Sequence, residues 1–305
     1  MGLFTGDFRF LLSAKRMGLQ GNTACTIGSQ PLFFSERTMD RIAGECGQDL
    51  SALPRGKAIY ATHDVLRTLG FSQVDIVDIS DYEGANVLQD LNLPIPPRLN
   101  ERYDLIVDGG TLEHVFNFPM AIENIMRMTK VGGEVLLFSP SNNYCGHGFY
   151  QLSPELYFRV FSPDNGFEMR RIYVNCGNRY YHVADPVDVH GRVELTNSRM
   201  ALLMVHARKI ARVPEKLQPP QQSDYVTTWA ERAEENRIEQ KDSPLKAFLR
   251  ARLSPQTVAK ISEWRFQVQL MREAWRVNRR ARLSNRKLYR PVTRWDVTTR
   301  EAFGR

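Results

Sequence analysis

Residues 103–140 read YDLIVDGGTLEHVFNFPMAIENIMRMTKVGGEVLLFSP, and their order decides the fold. Asp104–Asp108 is an apolar run closed by an acid, as expected of a strand buried on both faces. Pro119–Thr129 carries apolar residues at helical spacing, and Glu134–Ser139 returns to a buried strand after a glycine turn. Strand, helix, strand makes a parallel α/β unit, and in such sheets ligands sit at the carboxyl ends of the strands. Asp108, Gly109, Gly110, Glu113 and His114 all fall at or just past such an end.

The same alternation extends in both directions. Thr23–Ile27, Gln73–Ile79, Met169–Val174 and Ala201–Ala207 read as strands. Phe34–Gly44, Ala61–Leu69 and Pro154–Phe161 read as helices, the last opened by Ser153 as its N-cap. The loop DYEGANVLQDLNLPIPP, with Gly84, Pro94, Pro96 and Pro97, reads as a surface connection. From Gly28 to Asp78 the chain runs 50 residues, more than one crossover needs, which predicts an insertion near 45–60.

With 305 residues and 42% hydrophobic content, the chain can bury one large core and carry an appendage. Its net charge of +7 is unevenly divided: residues 244–305 hold 16 basic and 4 acidic side chains, and the rest is mildly acidic. The expected organisation is an α/β domain over 1–213, a Pro/Gln-rich linker at 214–224 and a basic, largely helical extension over 225–305. The tail MREAWRVNRRARLSNRKLYR interleaves aromatics and arginines. Docking on an anionic membrane surface or a protein partner ranks above nucleic acid for it, because no RNA-binding motif accompanies the charge.

Cys25, Cys46, Cys145 and Cys176 form no CxxC pair, which argues against a disulfide framework and for a reducing, cytoplasmic setting. Asp7 and Arg9 interrupt the N-terminal apolar run, so it does not read as a signal peptide. Glycine at position 6 breaks the myristoylation pattern that Gly2 begins. No apolar run is long enough to span a bilayer. The expected location is cytoplasmic, with peripheral membrane attachment through the basic tail as the variant.

Four pieces, ACTIGSQ, VDIVDIS, QDLNLPIP and YDLIVDGGTLEHV…VGGEVLLFSP, stand in an order that resembles the class I S-adenosylmethionine-dependent methyltransferases. The resemblance covers roughly residues 20–210. It implies a doubly wound, mostly parallel, seven-stranded Rossmann-like sheet and S-adenosylmethionine as cofactor. It also implies roles: Asp78 on the ribose hydroxyls, Asp90 on the adenine amino group, Asp108 at the cofactor edge of the fourth strand, and Gly28 and Gly109 for close backbone approach. The resemblance implies that Ser29, Ile79 and Leu91 line the same site beside them. A carboxylate at a strand end suits a ribose diol, each charged hydrogen bond contributing roughly 1.5–3 kcal/mol. In the first loop only Gly28 remains, followed by Ser29, Gln30 and Pro31.

The loop SPSNNYCGHGFYQLSP follows the fifth strand of that pattern and collects Asn142, Asn143, His147 and Tyr150. His147 and Tyr150 are the candidate catalytic residues, His147 as the base for a hydroxyl acceptor. Lone His114 reads rather as a packing or capping residue. The amide-rich loop suggests a small-molecule acceptor such as a sugar. His182, Asp185, Asp188 and His190 match no closed zinc spacing, and Pro186 and Gly191 mark an ordinary loop, so no metal is expected there. The leading expectation is therefore methyl transfer. The alternative is a degenerate methyltransferase fold serving as a binding or scaffold module, favoured by the poor first loop and the basic tail. A nicotinamide-dependent oxidoreductase is disfavoured by the absence of GxGxxG.

Overall fold

The computed structural model describes residues 2–225 and 254–304. Along the chain run α1 (Thr5–Arg16), β1 (Thr23–Ile27), β2 (Pro31–Leu32), α2 (Glu36–Glu45), β3 (Tyr60–Ala61), α3 (Thr62–Thr68), β4 (Gln73–Asp78) and β5 (Val87–Leu88). Then come β6 (Tyr103–Asp108), α4 (Phe118–Met128), β7 (Thr129–Pro140), α5 (Pro154–Val160), β8 (Phe167–Cys176), β9 (Tyr180–Val183) and β10 (Ala201–Lys209). The described chain closes with α6 (Pro255–Arg280), β11 (Tyr289–Pro291) and α7 (Thr299–Ala302).

Nine of these strands form one sheet in the order β11-β9-β8-β10-β7-β6-β1-β4-β5. β1 lies between β4 and β6 and is parallel to both, and β4–β5 and β6–β7 are also parallel. β10 enters antiparallel between β7 and β8. The chain thus begins in the middle of the sheet and winds outward both ways, which is the doubly wound, Rossmann-like α/β fold.

Strand side chains alternate between two cores. Ile106, Val135 and Leu137 pack with Ile122, Ile125 and Tyr157 on one face. Leu105, Val107 and Leu136 pack with Phe8, Leu11, Met39 and Leu66 on the other. α5 starts where expected, because the Ser153 side chain accepts from the Leu156 N–H.

The sheet has nine strands where seven were expected. β5 lies inside the stretch read as a surface connection, hydrogen-bonded to the outer edge of β4. β9 occupies the start of the 180–194 segment. It closes a hairpin with β8 through Gly177 and Asn178, whose φ angles of 61° and 62° are those of a tight hairpin turn. That glycine–asparagine pair was the available sequence signal. β11 arises from the segment read as a helical extension and pairs with β9, and α6 lies in the same segment. The 45–60 insertion returns as β3, which forms a separate ribbon with β2. α1 was not anticipated. The Pro/Gln-rich stretch is tied to the body: Arg127 donates to the carbonyls of Pro214 and Glu215, and Ser223 to Glu155. Among the described residues no helix is long and apolar enough to cross a membrane.

One fully buried arginine joins the layers. Arg171 on β8 donates from Nε to His206 Nδ1 at 3.1 Å, from Nη2 to the Phe10 carbonyl at 2.7 Å and from Nη1 to Ser13 Oγ at 2.7 Å. Nη1 also meets the Trp295 carbonyl, and the guanidinium lies 4.0 Å from the Phe10 ring centre. Because His206 accepts at Nδ1, its proton sits on Nε2, which donates to Glu134 at 2.7 Å. Burial, reinforced by the Arg171 charge, pushes His206 down to about 4.

Removing one partner of such a buried network leaves the others uncompensated, so Arg171→Leu is expected to destabilise the fold by about 3–5 kcal/mol in urea unfolding. The sign for His206 follows from its depressed value: the unfolded ring takes a proton near pH 6.5, while the folded ring resists until about 4. Stability from this group is therefore complete above pH 6.5 and falls as pH drops toward 4. In His206→Gln that portion of the slope disappears; a variant with an unchanged pH profile contradicts the assignment.

Candidate functional site

The parallel strands end in one row. Ile27 of β1 pairs with Val77 of β4 and with Asp108 of β6, Asp108 pairs with Leu137 of β7, and Asp78 pairs with Leu88 of β5. β1 is the point where the winding reverses, so the crevice of a doubly wound sheet opens at the carboxyl ends of β1, β4 and β6. The Gly28 N–H donates to the Val77 carbonyl at 2.8 Å, with φ at +74°, a conformation open to glycine. The Gln89 N–H donates to the Asp78 carbonyl at 2.8 Å, which brings Asp90 one residue from the end of β4.

Gly28, Ser29, Asp78, Ile79 and Asp90 therefore share one edge. Asp78 Oδ1 accepts the Ile79 N–H at 2.6 Å, and Ile79 itself is 65% exposed. Asp90 Oδ1 accepts from the backbone and side-chain nitrogens of Asn92, both at 2.8 Å. Asn92 in turn accepts the Asn117 N–H, which fastens this loop to the start of α4. Leu91 turns inward and is buried in the core.

Asp108 is also buried, and it closes its own turn. It accepts the Thr111 N–H at 2.9 Å and the Leu112 N–H at 3.4 Å, while burial raises its pKa to about 6. A Cβ on Gly109 would lie 3.0 Å from the Gln30 side chain and 3.2 Å from Leu3, so this glycine is needed by the protein's own packing. Gln30 Nε2 bridges the ends of β1 and β6 through the Ile27 and Val107 carbonyls. The Thr62 N–H holds the Gln30 carbonyl at 2.9 Å, and Leu3 is wholly buried beside it. Gln30, Leu3 and the β2–β3 ribbon thus fill the first loop, in which the sequence had kept only Gly28.

Beyond the next strand ends lies a second group. Glu113 follows β6 and is buried, and its Oε2 makes no hydrogen bond. Its Oε1 lies 3.5 Å from Nε2 of His147, which sits in the loop after β7. His114 and His147 meet edge to face with ring centres 5.1 Å apart. Burial first, and the neighbouring Asp108 second, raise Glu113 to about 8; burial and His147 lower His114. Sequence reasoning had singled out His147 but not its partnership with Glu113. The signal was a Glu-His pair at one strand end and a histidine at the next.

The rest of the 139–154 loop is engaged in joining loops. Tyr150 donates its hydroxyl to the Phe116 carbonyl at 2.6 Å. The Asn142 amide donates to Leu195 and Asn197, and that of Asn143 to Asn197 and Arg199. Those amides hold the 195–199 segment. At 180–194, buried His182 packs 4.4 Å from the Tyr173 ring centre and Asp185 pairs with Arg159, so the four residues do not gather there. Two clefts of about 470 and 650 Å³ open beside β9 and β11, lined by Arg179, Arg199 and Arg286 and by His182, Arg290 and Asp296 respectively. Both lie at the opposite edge of the sheet from Asp78.

No protein-family model matches the chain, and no curated protein does. Solved structures similar to it include a candidate methyltransferase from Bacillus halodurans, 13% identical, with 66% of this chain and 99% of that one covered at a TM-score of 0.37. The Burkholderia thailandensis 1,6-didemethyltoxoflavin-N1-methyltransferase, solved with bound 1,6-didemethyltoxoflavin and S-adenosylhomocysteine, is 14% identical over 67% of this chain and 79% of that one at a TM-score of 0.34. The 4+2 cyclase SpnF is 15% identical over 68% and 81% at 0.36. The fold assignment itself rests on the strand order and register.

Gly148 has φ +71°, and a Cβ there would lie 2.9 Å from both the Glu113 Cγ and its carbonyl oxygen. Gly148→Ala is therefore expected to displace the His147 loop and to lower stability by about 1–3 kcal/mol. Urea unfolding, with limited proteolysis of the loop, measures both; wild-type behaviour in each refutes the packing argument.

Proposed function

We propose that the chain binds S-adenosylmethionine at the carboxyl edge of β1, β4 and β6 and directs methyl transfer to a small-molecule acceptor. The observation that carries this reading is the register that brings Gly28, Asp78 and Asp90 to a single edge at the winding reversal of the sheet. In this reading the Asp78 carboxylate accepts from the ribose hydroxyls and Asp90 from the adenine amino group, with Gly28 allowing close approach. The cofactor supplies an activated methyl group on a positively charged sulfur. The protein aligns the acceptor with that group, since displacement at carbon demands geometry more than chemistry from the side chains. For a hydroxyl acceptor, the Glu113–His114–His147 cluster is the group that would promote loss of its proton, across one strand end from the cofactor edge.

A second reading draws on a different observation. Gln30 and Leu3 fill the first loop, which favours a non-catalytic binding module built on the same sheet. Fold alone does not choose between them. Calorimetric titration of the full chain with S-adenosylmethionine and S-adenosylhomocysteine does. Binding of both is expected, weakened roughly ten- to a hundredfold in Asp78→Ala, as the loss of one or two charged hydrogen bonds predicts. Absence of binding overturns the proposal in favour of the module; binding indifferent to Asp78→Ala overturns the site.

A further inference from the structure

We propose that Glu113, His114 and His147 form a binding site for one divalent transition-metal ion. One carboxylate oxygen and one nitrogen from each imidazole lie within 4.8 Å of one another. The 3.5 Å between Glu113 Oε1 and His147 Nε2 is close to the separation of two ligands on one ion, roughly 3.3 Å for tetrahedral bonds of about 2.05 Å. Among the described residues, no other cluster of histidine, cysteine and acidic side chains meets the same spacing.

The burial of Glu113 is an independent reason. Its side chain is 2% exposed, yet Oε2 has no hydrogen-bond partner. A second buried carboxyl, Asp108, stands nearby, and among the described residues neither is paired with a lysine or arginine. Buried carboxylates without a compensating cation are costly, and they are commonly paired or coordinate a metal. Room is also kept around the carboxylate. A Cβ on Gly110 would come within 3.0 Å of Oε1, and one on Gly148 within 2.9 Å of Cγ, both at positive φ. His114 and His147 present their rings from the exposed side.

Two imidazoles and one carboxylate suit zinc, ferrous iron, manganese or cobalt better than calcium or magnesium, which favour all-oxygen sets. Three protein ligands leave a position open for water or substrate, the arrangement of a catalytic rather than a structural site. Its use deepens the methyl-transfer reading and rests on it. A hydroxyl oxygen of the acceptor would bind the open position and lose its proton to water. That oxygen then forms its bond to the methyl carbon as the carbon–sulfur bond breaks, and sulfur keeps the electron pair. His147 becomes an ion ligand rather than a free base.

The test uses the full chain stripped by chelation and titrated with cobalt(II), then with zinc as competitor, in the absence of cofactor. Metal analysis gives the stoichiometry, and the visible ligand-field bands of cobalt report nitrogen coordination. One ion per chain is expected, with affinity lowered at least about tenfold in His114→Ala and in His147→Ala. The two histidines are exposed, so these variants should keep the wild-type melting profile, while His190→Ala should bind as wild type. Failure to retain cobalt, or equal retention by the His114→Ala/His147→Ala double variant, overturns the site. Because cobalt binding is read without S-adenosylmethionine, its persistence when no cofactor binds would keep the metal site and sink the methyl-transfer reading alone.

Discussion

Everything at the candidate site depends on parallel backbone pairing in register. Ile27, Val77 and Asp108 form one row across β1, β4 and β6, and that row fixes which residues emerge together. Side chains on a strand alternate, so a slip of β6 by one residue would send Asp108 to the opposite face of the sheet. The register is held by apolar burial: Ile27, Val77 and Leu137 all belong to one core cluster, and a shift would expose them together. Hydrophobic patterning deep in the sheet therefore positions polar groups at its rim.

That dependence explains what was legible in the sequence. The boundaries of β1, β4 and β6 could be read closely because buried parallel strands are continuous apolar runs with sharp polar ends, whereas the short strands β2, β3 and β5 carry no such run. Asp108, Glu113 and His147 were flagged for the same reason, each lying just past such an end. The fate of the first loop was not legible. That Gln30 would fold back to bridge the ends of β1 and β6 depends on Leu3 and Thr62, which are distant in sequence and local to nothing in ACTIGSQ. β11 escaped for a similar reason. Three residues among many arginines carry no strand pattern, and only the waiting edge of β9 makes Tyr289–Pro291 extended.

The layer contacts show the same distinction between local and distant causes. Arg171 looks in sequence like one of the many solvated cations of this basic chain. Its place on β8 lets it satisfy the Phe10 carbonyl, Ser13, His206 and the Trp295 carbonyl together. The return of the chain end to the body therefore rests partly on a hydrogen-bond network and partly on aromatic packing, with Trp295 against Tyr173 and Tyr180. Such a network stabilises chiefly by being complete.

The two buried acids beside the site illustrate how backbone geometry divides chemical roles. Asp108 and Glu113 share a low-dielectric surrounding, in which two neighbouring carboxylates resist ionising together. Backbone donors decide which one yields first. Asp108 takes the N–H groups of Thr111 and Leu112 and sits near 6, whereas Glu113, without such donors on Oε2, rises to about 8. The turn after β6 thus keeps one acid as its clasp and leaves the other available to whatever cationic or hydrogen-bonding group enters from the His147 side. Gly109 and Gly110 make that turn tight enough for the division to hold.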